Sequence, residues 1–478
     1  MNDESSLKQF LAMSYDELEE RNLQAREKRD TVSPEDQEQE YRSYLEKEKG
    51  MKAVTLCFSD LEGRFHMLDY DKKFLLASAD NLTFDGSSIR GFTAQRESDL
   101  RLQVDWTSFL WLPADLFGTG KAIMFANILN REGGQYESDF RGLLQHSLRD
   151  LMRTEGLRAF VSSEVEGIVV EGPNAEQHFD ESSGFHLIST GGYFHSLPRD
   201  PLRLFINASA RSQRAMGFKN EKDHPEVAPS QFEMNFSYTD ALRTADLIQL
   251  YKLVCRQVAN AMGMTATFLP KPIMGINGNG MHTNISLAKD EKNTFYDAQG
   301  PENLSKIALD FSSRILHSAQ EMCLVLNSSV NAYRRLDPHF EAPNQIQMSP
   351  IDRGSMIRVP VGNERTARIE VRSIAPDANP YLLLYTLLQV GLKGEVQPTY
   401  PRGEEQVQLL PGTIQEAAGL FEASSLMRKL LGEHNVEKYL SYKRMAADRS
   451  PRDLGTLVKT SEIIYHHEVT NQALWNRF

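Results

Sequence analysis

Acidic side chains recur at strand-compatible spacing in three separate parts of the sequence. Glu164 and Glu166 interrupt a β-branched run, and on a strand two carboxylates at this spacing face the same way. Glu226 and Glu233 form a second pair on what reads as a loop entering a strand, and Glu370 shares a third predicted strand with an arginine. Taken singly, these patterns are also typical of a solvent-facing sheet edge, an acidic loop and a surface ion pair.

A glycine-rich segment adds an imidazole to these acids. Residues 275–287 read Gly-Ile-Asn-Gly-Asn-Gly-Met-His-Thr-Asn-Ile-Ser-Leu. So many glycines disfavour a helix or a regular strand, so the backbone must turn tightly or lie close against a neighbour. The alternation that follows predicts a strand with His282, Asn284 and Ser286 on its polar face. Considered alone, His282 is more typical of a hydrogen-bonded structural histidine than of a ligand.

Together the acids and the imidazole indicate a cation site. Neighbouring carboxylates raise one another's pKa and repel, so they converge only where cations neutralise them. Five carboxylates with one imidazole form an oxygen-rich set, which suits Mg²⁺ or Mn²⁺ better than zinc. Two such ions bridging phosphate oxygens would suit phosphoryl transfer.

A local excess of arginine lies near the third acidic strand. An exposed basic surface would explain it, but in an acidic chain the crowding favours anionic ligands held bidentately. The residues are Arg335, Arg353, Arg358, Arg365, Arg368 and Arg372.

The elements that must position these residues fall into three parts. Residues 1–50 are charged, and serine caps predict one helix from Ser14 and another from Ser33 to Gly50. Short strands and turns fill residues 51–140, with a hairpin connection at 60–63. In residues 141–478 helices and strands interleave; the clearest helix runs from Asp240 to Met262.

Composition bounds the function classes. The 478 residues are 40% apolar, without an apolar run long enough to cross a membrane, and the net charge of −12 disfavours nucleic acid as a partner. Three cysteines far apart in apolar runs predict buried, reduced thiols. With no secretory pattern at the N-terminus, we expect a cytoplasmic protein.

The ordered motifs resemble the glutamine synthetase family in its bacterial type I form, over about residues 52–400. The motifs are Phe84-Asp85-Gly86-Ser87-Ser88, Glu164-Val-Glu166, Gly191-Gly192-Tyr193-Phe194, Glu226 through Glu233, Lys271-Pro272 through Ser286, Asn331 through Leu336 with Glu341-Ala-Pro, and Arg368 through Arg372 leading into Pro376-Asp377 and Asn379-Pro380. The resemblance implies an α+β fold. A small β-grasp-like domain would precede a large catalytic domain, in which helices flank a curved antiparallel sheet.

The resemblance also implies roles for individual residues around ATP and two divalent cations, Mg²⁺ or Mn²⁺. One cation would be held by Glu166, Glu226 and Glu233, and the other, nearer the nucleotide phosphates, by Glu164, His282 and Glu370. The glutamate-binding positions would be Asn277, Gly278, Arg335 and Arg372, and the nucleotide-binding positions Ser286, Asn284, Arg365 and Arg368. Arg353 and Arg358 would meet the transferring phosphoryl group, Asp85, Tyr193 and Glu226 would receive ammonium, and Glu341 would close a flap.

The sequence departs from the family pattern at three places. Asn279 replaces the usual serine between glycines, and Asn284 replaces the second histidine of the motif, which puts nucleotide preference in doubt. Residues 406–409 lack the tyrosine that some bacterial members modify, so we expect that regulation to be absent. Sites in this family form between subunits. The resemblance therefore implies a homo-oligomer, a dodecamer of two hexameric rings, with Asp85 acting in trans.

The sequence therefore predicts an ATP-dependent ligase that joins glutamate and ammonia through γ-glutamyl phosphate. Its partners would be these small molecules and other copies of the chain. Three alternatives stay open: a γ-glutamyl ligase for a polyamine or ethanolamine, a catalytically silent scaffold or regulator, and a guanidino kinase of related fold. Asp85, Tyr193 and Glu226 favour ammonia, since a bulkier amine needs a roomier and less acidic pocket.

Overall fold

The computed structural model describes residues 13–89, 91–93, 98–118, 120–180, 182–336, 342–396 and 407–448. Within these ranges the chain builds a five-stranded sheet of order β2-β1-β5-β4-β3, in which only β1 and β5 pair in parallel. Its strands are β1 (Ala53–Ser59), β2 (Phe65–Asp71), β3 (Leu82–Asp85), β4 (Asp99–Trp111) and β5 (Ala122–Leu129).

A larger, mostly antiparallel sheet follows, with the order β13-β14-β15-β11-β6-β8-β7. β9 and β10 also pair with β6, and β12 pairs with β11. The strands are β6 (Leu157–Glu171), β7 (Asn220–Pro225), β8 (Gln231–Phe236), β9 (Thr239–Asp240), β10 (Met264–Thr267), β11 (Met281–Lys289), β12 (Lys292–Asn293), β13 (Gln345–Ser349), β14 (Ser355–Arg358) and β15 (Ile369–Val371).

Helices cover both sheets. They are α1 (Tyr15–Thr31), α2 (Pro34–Lys47), α3 (Lys72–Ser78), α4 (Ala114–Phe117), α5 (Phe140–Glu155), α6 (Pro201–Ala215), α7 (Ala241–Ala261), α8 (Lys306–His317), α9 (Ala319–Leu326), α10 (Val330–Arg335), α11 (Pro380–Lys393), α12 (Ile414–Ala423), α13 (Ser425–Leu431) and α14 (Glu433–Asp448). The expected α+β architecture, a small β-rich part followed by a larger sheet with flanking helices, is confirmed. No helix among the described residues combines the length and apolarity needed to span a bilayer.

The predicted N-terminal helices form and begin at their serine caps. Ser14 and Glu17 make a reciprocal capping box at the start of α1, and Ser33 accepts a hydrogen bond from the Asp36 amide at the start of α2. α1 then bridges the two parts of the chain, because the buried Asn22 amide donates to the carbonyls of Trp111 and Ala215. The same side chain accepts from the Trp111 amide, so three hydrogen bonds meet at Asn22.

A buried ion-pair network also joins strand β4 of the small sheet to helices α5 and α7, and the sequence did not suggest it. The Arg141 guanidinium lies 2.8 Å from an Asp105 carboxylate oxygen on β4 and 2.9 Å from Asp246 on α7. Such a pair stays buried only when nearly every donor is satisfied, and Arg141 Nη1 donates to Asn127 as well.

Strand alternation places the polar side chains. Along β6 the odd-numbered residues from Ala159 to Val165 are buried, so Glu164 and Glu166 share the opposite face, as predicted. On β11 the register puts His282 opposite Glu164. Cys57, Cys255 and Cys323 are buried free thiols, as expected.

Candidate active site

Three adjacent strands bring together the first group of ligand-type side chains. We call Glu164, His282 and Glu370, on β6, β11 and β15, the β11 cluster. His282 Nδ1 lies 3.6 Å from Glu164 Oε2 and 3.8 Å from Glu370 Oε1. One atom from each residue lies within 4.8 Å of the others, which fits one shared cation.

Charged and hydrogen-bonding neighbours surround both acids of the β11 cluster, and they lower the pKa of Glu164. Burial opposes ionisation of Glu164, but the hydrogen bond and charge of His282 outweigh it and hold the pKa of Glu164 to about 2. Glu370 is 1% exposed and accepts hydrogen bonds from Arg358, including one of 2.8 Å from Nε. Arg372 Nε is 3.3 Å from its other oxygen. The suggested surface ion pair at Glu370 is therefore a buried one.

A second group lies on β7 and β8 and the loop between them. We call His224, Glu226 and Glu233 the β8 cluster. His224 Nδ1 lies 3.7 Å from Glu226 Oε1, and its Nε2 lies 3.5 Å from Glu233 Oε1. Burial and then repulsion from neighbouring carboxylates, including Glu166, raise the pKa of Glu226 and that of Glu233 to about 8. A divalent cation would relieve this repulsion, so the donor set fits one.

Glu166 lies opposite Glu233 in the register of β6 and β8, but it is not one of the three converging ligands of the β8 cluster. Its Oε2 accepts a 2.6 Å hydrogen bond from the Gly280 amide and a 3.3 Å bond from Gln231. The charge of Glu166 acts on both clusters, since it contributes to the raised pKa of His282 as well as that of Glu226.

The glycine-rich segment lies against its neighbours, as predicted. A Cβ at Gly280 would lie 2.6 Å from Arg335 Nη2, and one at Gly278 would lie 2.5 Å from a backbone carbonyl oxygen. Asn279, the departure between these glycines, is fully buried; it donates to the Leu269 carbonyl and accepts from Gln231. The amide thus fixes the loop, which is a structural reason for Asn279.

Two arginines line the same loop. Arg335 is 7% exposed, and its Nη2 donates to the Arg372 carbonyl. Its Nη1 is buried and has no hydrogen-bond partner among the described residues, which is unusual for a buried guanidinium nitrogen. Burial lowers the pKa of Arg335 to about 10, so the group stays protonated at neutral pH. Asn277 is half-buried in the same segment.

The residues expected beside the nucleotide are only partly brought together. Asn284 is buried; it donates to Glu164 at 3.1 Å and accepts from Arg368 at 2.9 Å. Ser286 follows on the same face of β11 and is half-buried. Arg365 is exposed on the loop before β15, and Arg353 is exposed with its carbonyl accepting from Arg372.

The residues expected to receive ammonium are divided between the two sheets. Tyr193 is more than half exposed, and burial followed by the charges of Glu226 and Glu233 raises its pKa. Asp85 instead ends β3 of the small sheet, where Ser87 and Ser88 hydrogen-bond to its carboxylate and lower its pKa. Glu341 lies outside the described residues.

Comparison with family models decides the family. The model described as glutamine synthetase, beta-Grasp domain, matches residues 50–131. The model described as glutamine synthetase, catalytic domain, matches residues 137–454. The chain belongs to the glutamine synthetase family.

Full-length relatives agree with this membership. Glutamine synthetase from Thermus thermophilus is 35% identical over 427 residues, which cover 84% of this chain and 93% of the relative. The enzyme of the same name from Clostridium saccharobutylicum is 36% identical over 422 residues, covering 84% and 92%. A cryo-EM structure of Plasmodium falciparum glutamine synthetase superposes with a TM-score of 0.76. At 22% identity it covers 87% of this chain and 98% of its own, and it supports the shared fold.

Sequence reasoning missed one member of this glutamine synthetase site. His224 belongs to the β8 cluster because the β7–β8 register sets it opposite Glu233. The available signal was its position two residues before Glu226, which puts an imidazole and a carboxylate on one side of an extended segment.

Proposed function

We propose that this member of the glutamine synthetase family ligates glutamate and ammonia to glutamine with ATP, through γ-glutamyl phosphate. The observation that carries the proposal is the meeting of two acid–imidazole clusters, drawn from distant parts of the sequence, beside a buried arginine nitrogen that has no partner in the part of the chain that the structure describes. A structural role alone gives no reason to crowd acids at such electrostatic cost.

Two divalent cations, Mg²⁺ or Mn²⁺, would be held by the clusters. Glu164, His282 and Glu370 would bind one, and Glu226 and Glu233 with His224 or Glu166 the other. When bound, such ions neutralise the acids and the charge on phosphate oxygens. The carboxylate-rich donor sets fit hard cations, and the raised pKa values of Glu226 and Glu233 give binding there a pH dependence.

Glutamate would lie along the glycine-rich loop. We assign its α-carboxylate to Arg372 and to Arg335, whose buried Nη1 lacks a partner within the described ranges. Asn277 and Gly278 would border the same substrate. Its γ-carboxylate oxygen attacks the γ-phosphorus of ATP, and the bond from that phosphorus to the leaving ADP oxygen breaks.

The strand and loop residues near β11 would hold ATP. We assign the nucleotide to Ser286, Asn284 and Arg368, with Arg365 at the mouth. The charge that spreads over the transferring phosphoryl oxygens is stabilised by Arg353 and Arg358. Arg358 pairs with Glu370 in the free protein, so its guanidinium would contact both that carboxylate and the phosphoryl group during the reaction.

Ammonium must lose a proton before it is a nucleophile. Tyr193, Glu226 and Asp85 would bind ammonium, and one of these two carboxylates takes its proton. The nitrogen then attacks the γ-carbon of γ-glutamyl phosphate, the bond from that carbon to the phosphate oxygen breaks, and inorganic phosphate leaves with the electron pair and takes up the second proton that the nitrogen loses. Glu341 would close over the intermediate, because the anhydride is readily hydrolysed.

The arrangement of Asp85 supports a shared site between subunits. Asp85 belongs to the small sheet and borders a cleft with Lys252 and Asp377, and the lining of this cleft includes no residue of either acid cluster. We therefore propose a homo-oligomer, a dodecamer of two hexameric rings, in which Asp85 completes the neighbour's site. Residues 1–50, 51–140 and 141–478 would serve as extension, β-grasp-like domain and catalytic domain. The buried free thiols favour a cytoplasmic setting.

A panel of amines tests the function. The purified chain is incubated with ATP, Mg²⁺ and glutamate, and the amide product is identified by mass spectrometry with ammonium, putrescine or ethanolamine as acceptor. We expect saturable glutamine formation with ammonium and no comparable product with the larger amines. A matched Glu221→Gln variant, altered at an exposed acid outside both clusters, should behave as wild type.

The other outcomes are equally informative. Saturation by putrescine or ethanolamine but not by ammonium would replace the acceptor while keeping the glutamate and cation assignments. Absence of glutamate-dependent phosphate release from ATP would reject ligase activity altogether.

A further inference from the structure

The turn before α6 carries a histidine for which the proposed chemistry has no task. His195 lies two residues after Tyr193, and its ring is fixed at both nitrogens. Nδ1 is 2.7 Å from the Gly192 carbonyl oxygen, and Nε2 is 2.8 Å from Asp200 Oδ2. The two contacts lie on opposite sides of the ring and together fix its orientation, and the tautomer decides which nitrogen donates.

Asp200, the carboxylate partner of His195, is held in place at the start of α6. Asp200 is 5% exposed and caps α6, where its side chain accepts from the Leu202 amide and Pro201 occupies the first turn. Burial opposes ionisation of Asp200, but its hydrogen bond with His195 helps to lower its pKa. The histidine therefore ties a loop to the fixed start of a helix.

The backbone of the 191–195 turn leaves room for the His195 ring. A Cβ at Gly191 would lie 2.2 Å from the His195 ring, so the ring can fold back only over a glycine. Phe194 has φ 55°, a left-handed conformation that side-chain-bearing residues rarely adopt. Its amide donates to the Pro225 carbonyl at 3.3 Å. Such a conformation persists where its surroundings hold it.

This turn places the side-chain rings of Tyr193 and Phe194 next to His224 of the β8 cluster. The Tyr193 and Phe194 rings stack with centroids 3.8 Å apart, and Phe194 meets the His224 ring edge-on at 4.7 Å. Both aromatic side chains are more than half exposed, at 55% and 56%. Their position is therefore set by the turn and by His224, with little packing on the outer side.

We propose that His195 is a positioning residue, which ties the 191–195 turn to Asp200 and so sets the place of Tyr193 beside Glu226. The amine pocket depends on that placement, whereas the glutamate and ATP positions lie on other elements. The inference rests on the proposed function, in which Tyr193 and Glu226 receive ammonium.

Two substitutions with a matched control test this role. His195→Ala removes both contacts, and His195→Gln keeps an amide that can donate to Asp200. His178→Ala changes an exposed histidine elsewhere in the same connection. Steady-state kinetics with ammonium, glutamate and ATP varied in turn are measured on the full chain, together with Tm.

We expect His195→Ala to raise the KM for ammonium about tenfold or more, the effect of losing a charge-assisted contact that orients a site. The KM values for glutamate and ATP should stay within about twofold, because their sites are not attached to this turn. His195→Gln should recover part of the loss, and His178→Ala should match wild type.

Two results would overturn the role of His195. An unchanged KM for ammonium in His195→Ala would show that His195 does not position Tyr193. Equal increases in the KM values for all three substrates, together with a lower Tm, would assign His195 to folding only. If the alanine variant does not fold, the same KM values are compared in His195→Gln. These failures are distinct from failure of the proposed function, which would appear as absence of glutamine synthesis in the wild-type protein.

Discussion

Binding of divalent cations should release protons from Glu226 and Glu233. Burial and neighbouring carboxylates raise the pKa of each to about 8. At pH 7 a group with that pKa is about nine-tenths protonated, so the cation-free pair holds between roughly one and two protons. A cation takes carboxylates in their ionised form, and the protons must leave as it binds.

Titration calorimetry with Mn²⁺ at pH 7, repeated in two buffers of different ionisation enthalpy, measures this release. We expect about one to two protons from this pair at pH 7, with a further contribution from His282, whose pKa is raised and which binds the other cation in its neutral form. The pair should release fewer than about half a proton at pH 9.5, where it is already ionised. Glu226→Gln should remove about one of them, whereas Glu221→Gln should change nothing. Release of less than about 0.3 protons at pH 7 would refute the crowding argument.

The same groups give a stability prediction with a defined sign. Because their folded pKa is raised from 4.5 to about 8, the folded cation-free protein binds more protons than the unfolded chain in this window. Its free energy of unfolding therefore falls as pH rises from about 5 to 8. Saturating Mg²⁺ should remove that loss, so the Mg²⁺-induced rise in Tm is larger at pH 8 than at pH 6. An equal rise at both pH values contradicts the assignment.

Three further experiments with substituted chains test the glutamate site, the role of α1 and the shared site. Arg335→Ala should raise the KM for glutamate by about ten- to a hundredfold and leave the KM for ATP within about twofold, because it removes a buried donor assigned to the glutamate carboxylate. Equal increases in both KM values, measured by steady-state kinetics, would argue against this assignment. Asn22→Leu should lower the free energy of unfolding by about 2–4 kcal/mol in denaturant titrations, because three buried hydrogen bonds are lost, and a change below about 0.5 kcal/mol contradicts the bridging role. Asp85→Asn and Glu370→Gln subunits, inactive separately, should regain about a quarter of wild-type activity when co-expressed, since random assembly leaves that share of interfaces intact; no recovery contradicts a shared site.

Local periodicity explains what the sequence could predict. The common face of Glu164 and Glu166 follows from the two-residue repeat of a strand, and so does the polar face of β11 with His282. The helix caps at Ser14 and Ser33 rest on contacts three residues apart. Such features need no knowledge of distant parts of the chain.

Contacts set by strand pairing and burial could not be predicted in this way. His224 joins the β8 cluster only through the register of β7 with β8, and Arg358 meets Glu370 only because β14 pairs with β15. The buried network of Arg141 with Asp246 links residues more than 100 positions apart. Charged residues of this kind read as surface residues until the fold removes them from water.

The claim on which the account depends most is that the two acid clusters hold a pair of divalent ions. Anomalous diffraction from crystals grown with Mn²⁺ and ADP tests it directly. We predict two manganese peaks per chain, one among Glu164, His282 and Glu370 and the other beside Glu226 and Glu233. Empty clusters at saturating Mn²⁺, or manganese bound only elsewhere, would contradict the account.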